Sequence, residues 1–341
     1  MRATIFIVSL LLAAGHSFVV PLSAAKPATS LAAVTLPRVS DGEAIDLGAA
    51  LAATSTGRSM LVLGTHAADF NMVEYAQKVR HFLPALRAKG VDRVMMVVNG
   101  EVSSCAKLAE LLELPDEVEL LADPTGEAGR RFGVSRGWRA DDSGLSPFVK
   151  LFVMGIGLGD AGTLPAVLRG YVGNPDGRRE WIESALSQGQ LAGRWPAVLE
   201  VGDDGKLLSN KFDDFGFFGS WGCRPLELAT MRLQNLIGVQ AAHWKALKPT
   251  DGRCLTQVGL LPIPMHIQAR LKSIRHPRCR SQCPPQHSPH VRRNDSHSPT
   301  RPLRAQLGGC TVVGAGGVPL YSWVDRGLCD VPDFEPILGA L

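Results

Sequence analysis

"LGTHAADFNMVEYAQ", residues 63–77, carries the chain from a strand into a helix, and the rest of the fold is read outward from that hand-over. Just upstream, "SMLVLG" (59–64) is a short apolar run ending in Gly, the pattern of a strand buried on both faces. Downstream, over 72–88, Val73, Ala76, Val79, Leu83 and Leu86 recur at three- and four-residue spacings, which predicts an amphipathic helix. "DRVMMVVN" (92–99) repeats the buried-strand pattern, "SSCAKLAELLEL" (103–114) the helix with a serine cap, and "VELLAD" (118–123) a third strand. "TGEAGRRFGV" (125–134) reads as a third helix stopped at Gly133. Strands and helices that alternate in this way require parallel pairing with crossover connections.

The C-terminal end has another rhythm. "CTVVGAGGVPLYSW" (310–323) is two short strands about a Gly-rich turn, and "VPDFEPILGAL" (331–341) is a terminal helix. Parallel strand-helix units closed by an antiparallel hairpin and a helix make an α/β thioredoxin-like fold: a central mixed sheet flanked by helices. A small flavodoxin-like sheet fits the periodicity as well. Between the halves, residues 147–257 read as an inserted helical and hairpin region. "FVKLFVMGIGLGDAGTLPAVLRGYVG" (148–173) is apolar but broken by Lys150, Asp160 and Arg169, so no stable membrane span is expected of the mature chain. "RWPAVLEVGDDGKLLSNKF" (194–212) reads as a hairpin with Asp-Gly in its turn, and a long helix begins at Pro225.

Charge and composition divide the chain further. The net charge is +4. Residues 258–306 hold nine Lys or Arg against one acid, Asp295, so the remainder is net acidic and no nucleic-acid partner is expected. That stretch also has eight of the 23 Pro and five of the nine His, and no helical or strand period, so disorder is expected of it. Val258 needs a codon beginning GT and Gln306 can be CAG, the letters that bound an intron, so 258–306 reads as a retained intron in translation. The competing zinc reading, through Cys279, Cys283, His287 and His290, matches no usual finger spacing.

At the N-terminus, residues 1–17 have an early Arg and an apolar run from Ile5 to Ala14, a signal-peptide core too short for a bilayer, which takes about 20 residues. Residues 18–38 are rich in Ala, Ser, Thr and Pro without an acid, like a transit segment. Together they predict delivery to a plastid, with secretion as the alternative. The folded domain is expected over 39–146 and 307–341.

With those elements placed, the residues resemble a known group. "GVDRVMMVVNGEVSSCAKLAELLELPDEVELLADPTGEAGRRFGV" (90–134), with its Asp-Pro-x-Gly turn, is similar to the peroxiredoxin-like branch of the alkyl hydroperoxide reductase and thiol-specific antioxidant superfamily. "HAADFNMVEYAQ", "GRWP", "NKF" and "RPLELATMRLQ" look like a cyanobacterial and plastid subgroup of it, over 36–257 and 307–338. The resemblance implies a peroxidatic Cys on the first helical turn, three residues after a Thr. Laid on this chain, it puts Asn71 at the Thr and Glu74 at the Cys. A carboxylate cannot perform that attack, so the resemblance implies a degenerate site.

His66, Asp69, Asn71 and Glu74 are therefore the candidate site, read either as a ligand or metal pocket or as helix capping, with Asp69 or Asn71 on free N–H groups and Glu74 complementing the dipole. Two thiols compete for a catalytic role. Cys105 lies near the start of the second helix, and Cys223 precedes a helix beside Arg224. Cys310 and Cys329 flank the terminal hairpin, either buried or bridged. "GIGLGDAG" (155–162) lacks the preceding strand of a dinucleotide fingerprint, and no cofactor is expected. The function expected is a non-peroxidase, redox-associated binding or regulatory role. The alternative is a thiol oxidoreductase using Cys223 or Cys105, its partner a thioredoxin-type reductant or another plastid protein.

Overall fold

The computed structural model describes residues 27–53, 57–134, 180–192, 199–201, 207–210 and 307–341, together with 153, 163, 166, 239, 243 and 245–247. Residues 1–26, Cys223, 258–306 and most of 147–257 lie outside the described residues, as do the readings made of them.

The chain enters through a short helix, α1 (Pro27–Ser30), and an antiparallel pair, β1 (Thr35–Pro37) and β2 (Ala44–Asp46), with Leu36 opposite Ile45. Helix α2 (Leu47–Ala52) follows, capped by the Asp46 carboxylate, which accepts from the Ala49 N–H at 2.8 Å. The alternation expected from the sequence then appears as β3 (Arg58–His66), α3 (Phe70–Ala88), β4 (Val91–Asn99), α4 (Val102–Leu112), β5 (Val118–Ala122) and α5 (Glu127–Phe132). Helix α6 (Glu180–Leu191) and an antiparallel pair, β6 (Leu199–Val201) and β7 (Leu207–Asn210), come from the region between the halves. The chain closes with β8 (Gly309–Val313), β9 (Pro319–Val324) and α7 (Phe334–Ala340).

Five strands form one mixed sheet in the order β5-β4-β3-β8-β9. β4 runs parallel to both β3 and β5, whereas β8 pairs antiparallel with β3 and β9 antiparallel with β8. The terminal hairpin thus seats beside the strand that launches α3, although more than 240 residues of sequence separate the two. Both faces of the sheet are covered. Met60 and Val62 face one core with Val94, Met96 and the inner sides of α3, α4 and α7. Leu61 and Leu63 face the other, with Met95, Val97 and the N-terminal Leu31, Val34, Leu36, Leu47 and Leu51. Burial on two sides is why these strands read as unbroken apolar runs rather than as alternating ones.

Several details depart from the sequence reading. Leu31, Val34 and Leu36 fall within the stretch read as transit-like, yet they are buried, and Arg38 bridges to Leu121 on the β5 edge. Helix α4 begins one turn position before the serines, with Glu101 at its N-cap and no side-chain cap bond, because only Gly100 and Glu101 separate it from β4. The predicted Gly133 stop is there in the left-handed conformation at φ 98°. In the Asp-Pro-Thr-Gly turn, the buried Asp123 accepts from the Thr125 N–H and hydroxyl and from the Ala128 N–H at 2.8 Å, so this carboxylate organises the start of α5. No disulfide joins Cys310 to Cys329. Among the described residues no helix is long and apolar enough to cross a membrane.

The double glycine at 308–309 is required by close approach. A Cβ on Gly308 would lie 2.8 Å from Asp325 Oδ2 and 2.9 Å from the Leu63 carbonyl oxygen, and one on Gly309 would lie 2.6 Å from the Trp323 carbonyl oxygen. Gly308→Ala is expected to lower the urea midpoint by an amount worth about 1–3 kcal/mol, since the backbone oxygen cannot turn aside as a side chain would.

Candidate functional site

β3 ends at His66 and α3 starts at Phe70, so the junction is a turn of three residues at the rim of the sheet. The His66 carbonyl accepts from the Asp69 N–H at 2.8 Å, and its ring Nδ1 accepts from the Ala68 N–H at 3.1 Å. That second bond makes Nδ1 the acceptor nitrogen and leaves the neutral ring's proton on Nε2. Asp69 has extended backbone angles and is the N-cap of α3, its carboxylate accepting from the Asn71 N–H at 3.2 Å. The capping role foreseen for Asp69 is therefore present.

Asp69 is buried, and burial pushes its carboxyl from the ordinary 3.8 up to about 6, with the N–H groups of Asn71 and Phe70 and the Thr65 hydroxyl pulling the other way. A carboxyl raised in the folded state stays protonated where the unfolded chain has already ionised. The folded protein consequently binds more protons between about pH 4 and pH 6, and stability falls across that window as pH rises. Asp69→Asn keeps an acceptor at the cap and removes the titration. Urea midpoints at pH 4.5 and 7.5 should show the wild type losing stability relative to the variant by about 2 kcal/mol, and equal losses in both proteins would contradict the burial argument.

Asn71 and Glu74 do something the sequence did not disclose. The Asn71 side-chain oxygen accepts from the Cys329 N–H at 3.1 Å, a contact across 258 residues of chain. Glu74 does not simply complement the helix dipole. It forms a buried ion pair with Lys78 one turn on, at 3.0 Å, with both side chains only 3% exposed. The Lys78 ammonium also donates to the Pro332 carbonyl at 2.9 Å, lies 3.5 Å from Asp333 and sits 5.1 Å over the Trp181 ring of α6. Between them, Tyr75 donates to Asp325 at 2.6 Å. The Asp325 carboxylate further accepts from Trp323 Nε1 at 3.2 Å and the Gly308 N–H at 3.1 Å. The polar side of this amphipathic helix is thus covered by α6, α7 and the segment after β9, and Glu74, Gln77 and Lys78 are all buried.

Lys78, Tyr75, Asp325 and Asp330 were not among the sequence candidates. Lys78 falls four residues after Glu74, a spacing that signals an ion pair, but nothing local marks the pair as buried. The two acids lie on a loop far along the chain and carry no motif.

The arrangement ties polar side chains to one another, and neither Cys105 nor Cys310 lies in a setting that favours a thiolate. Cys105 is buried with its sulfur 3.9 Å from the Val98 carbonyl, and burial, with Glu101 and Asp123 adding to it, pushes its pKa to about 12. Cys310 is fully buried, and burial followed by Asp325 raises its pKa as well. Among the described residues no group of three or more His, Cys, Asp or Glu is placed to hold a metal ion.

Comparison with known proteins bears on ancestry. No family model matches the chain. A curated relative does: the UPF0251 protein PH0803 of Pyrococcus horikoshii is 31% identical over 86 residues, which is 25% of this chain and 70% of that protein. Through that stretch, the chain belongs to the UPF0251 family. No solved structure matches. The UPF0251 relationship overturns the resemblance to the peroxiredoxin-like branch of the alkyl hydroperoxide reductase and thiol-specific antioxidant superfamily, for which neither a family model nor a relative speaks. The words that carried the resemblance are apolar strands, a capped helix and an Asp-Pro-x-Gly turn. Those are the local requirements of any strand-helix-strand unit, and they recur without common descent. The mixed five-stranded sheet with covering helices stands independently of it.

Proposed function

We propose that this is a thioredoxin-like domain that serves as a non-catalytic binding or regulatory module in redox physiology of the plastid, and not as a thiol enzyme. The observation that carries the reading is the state of the first two turns of α3. A helix N-terminus after a central strand is where such a fold would activate a nucleophile. Here Asp69 caps it, Asn71 holds the Cys329 N–H and Glu74 is tied to Lys78. The strand order supports the fold assignment, since β3 launches α3 at the centre of the sheet and the antiparallel pair β8 and β9 closes one side. The plastid address is read from the signal-like residues 1–17 and the acid-free, transit-like residues 18–38.

The alternative is a thiol oxidoreductase. The high pKa of Cys105 argues against that residue as nucleophile, which leaves Cys223 as the thiol to test. The purified full chain, supplied with hydrogen peroxide and dithiothreitol, should consume no peroxide beyond the buffer rate. Turnover that disappears in Cys223→Ser would replace the module reading with the enzyme reading.

A further inference from the structure

Helix α1 and strand β1 fall inside the acid-free stretch 18–38 that reads as a transit segment, and the two uses make opposite demands on residues 27–38. An address is discarded after delivery, whereas a core residue must stay. Leu31 is 0% exposed, Val34 2% and Leu36 6%. They pack in the core that covers Leu61 and Leu63 of β3 and Met95 of β4, on the face of the central sheet opposite α3.

The backbone of the same residues is tied into the fold. The Leu47 N–H at the start of α2 donates to the Val34 carbonyl at 2.9 Å, and Leu36 stands opposite Ile45 in the β1–β2 pair. Further on, Arg38 bridges to Leu121 and the Val39 N–H donates to the Leu120 carbonyl at 2.8 Å, which fastens the segment to the β5 edge. Ala33 makes the reversal between α1 and β1 at φ 62°, in the left-handed region that a side chain disfavours, and the bond from the Val34 N–H to the Leu31 carbonyl at 3.1 Å closes that turn.

What a chain tolerates losing from its end is decided by the burial and hydrogen bonding of the backbone removed. Loss of everything to residue 38 would strip three aliphatic side chains from one sheet face, leave β2 without β1 and bare a contiguous apolar patch, a cost that is a large share of a domain's net stability. A cut before Pro27 leaves every one of these contacts in place.

We propose that the processing cut that ends the transit segment falls between residues 18 and 27, so that residues 27–38 serve in delivery and are then kept as part of the folded domain. This rests on the plastid delivery given under the proposed function. The cut is a hydrolysis: water adds across one peptide bond, leaving a carboxylate on the departing segment and a new amino terminus on the domain. The two uses of 27–38 do not compete, because they belong to different states of the chain. Import acts on the unfolded chain through composition, with no acid from 18 to 38 and with Lys26 and Arg38 as cations. The fold draws on the same stretch through its apolar residues, and Arg38, a lone cation in the address, is answered in the folded domain by Asp41 at 3.1 Å, by Glu43 and by Glu119 at 3.8 Å.

The full chain with a C-terminal affinity tag, expressed in an alga with complex plastids and recovered from the isolated organelles, gives the test when its amino terminus is read by mass spectrometry. The first residue should lie from 19 to 27. A first residue at 28 or beyond, or a plastid chain that still begins at Met1 or Phe18, would overturn the proposal and leave plastid delivery standing. A chain found outside the plastid and beginning at Phe18 would overturn both, so the location of the chain tells the two failures apart. A second measurement asks whether the kept residues are core. In the recovered chain, Leu31→Ala should lower the urea midpoint by about 1 M, while Thr35→Ala, at an exposed position of β1, should leave it unmoved. An unmoved midpoint in Leu31→Ala would sink the proposal whatever the amino terminus.

Discussion

Lys78→Met should lower the unfolding free energy by about 3–5 kcal/mol, because it strands the Glu74 carboxylate in a site with almost no water. For a folded body of this size that is a fall in Tm on the order of 10 °C. The pair joins three elements, since Lys78 also holds the Pro332 carbonyl and Asp333 at the entrance to α7 and lies over Trp181 of α6. The instructive control is the double variant Glu74→Leu/Lys78→Met. Removing both charges removes the desolvation cost along with the attraction, so most of the lost stability should return. Denaturant unfolding of the wild type, both single variants and the double variant closes the cycle. If the double variant is as unstable as the sum of the two single ones, the ion pair is not what makes Lys78 important.

The second large effect belongs to Phe334. It is fully buried at the start of α7 and stacks on Phe82 of α3 with ring centroids 5.5 Å apart. Phe334→Ala should cost about 3–5 kcal/mol through lost burial and the cavity left behind. The loss has a place as well as a size. α7 is only seven residues long and is too short to persist without the face it packs on, so exchange protection should drop first over 334–340 and only later in β3 and β4. A uniform loss of protection across the sheet would show instead that α7 and the central sheet open as one unit.

Much of the fold was legible because its signals are local. The apolar runs at 59–64, 92–99 and 118–123 became β3, β4 and β5, the first three residues longer than read, the second one longer and the third one shorter, and Gly133 ended a helix as read. The serine cap of α4 failed because where a helix begins depends on how soon the preceding strand lets go, not on the best capping residue nearby. The β1 and β2 pair passed unread, being strands of three residues whose stability comes from packing on the β5 edge. In the site, Asp69 was legible as a cap from its position alone. Ancestry was misjudged by the same locality: turn and capping words belong to the architecture more than to a lineage.

What the sequence by itself determined is the alternation of strands and helices, the parallel part of the sheet, and a polar junction after the first central strand that contains no thiol. Periodicity, glycines and caps act over a few residues, so they can be read from a few residues. Tertiary structure alone decided that β8 inserts beside β3, that Glu74 and Lys78 are a buried pair, and that Tyr75 meets Asp325 across 250 residues. Whether a charge is solvated or buried, and what answers it, is set by whichever distant segment packs over it, and no local pattern records that choice.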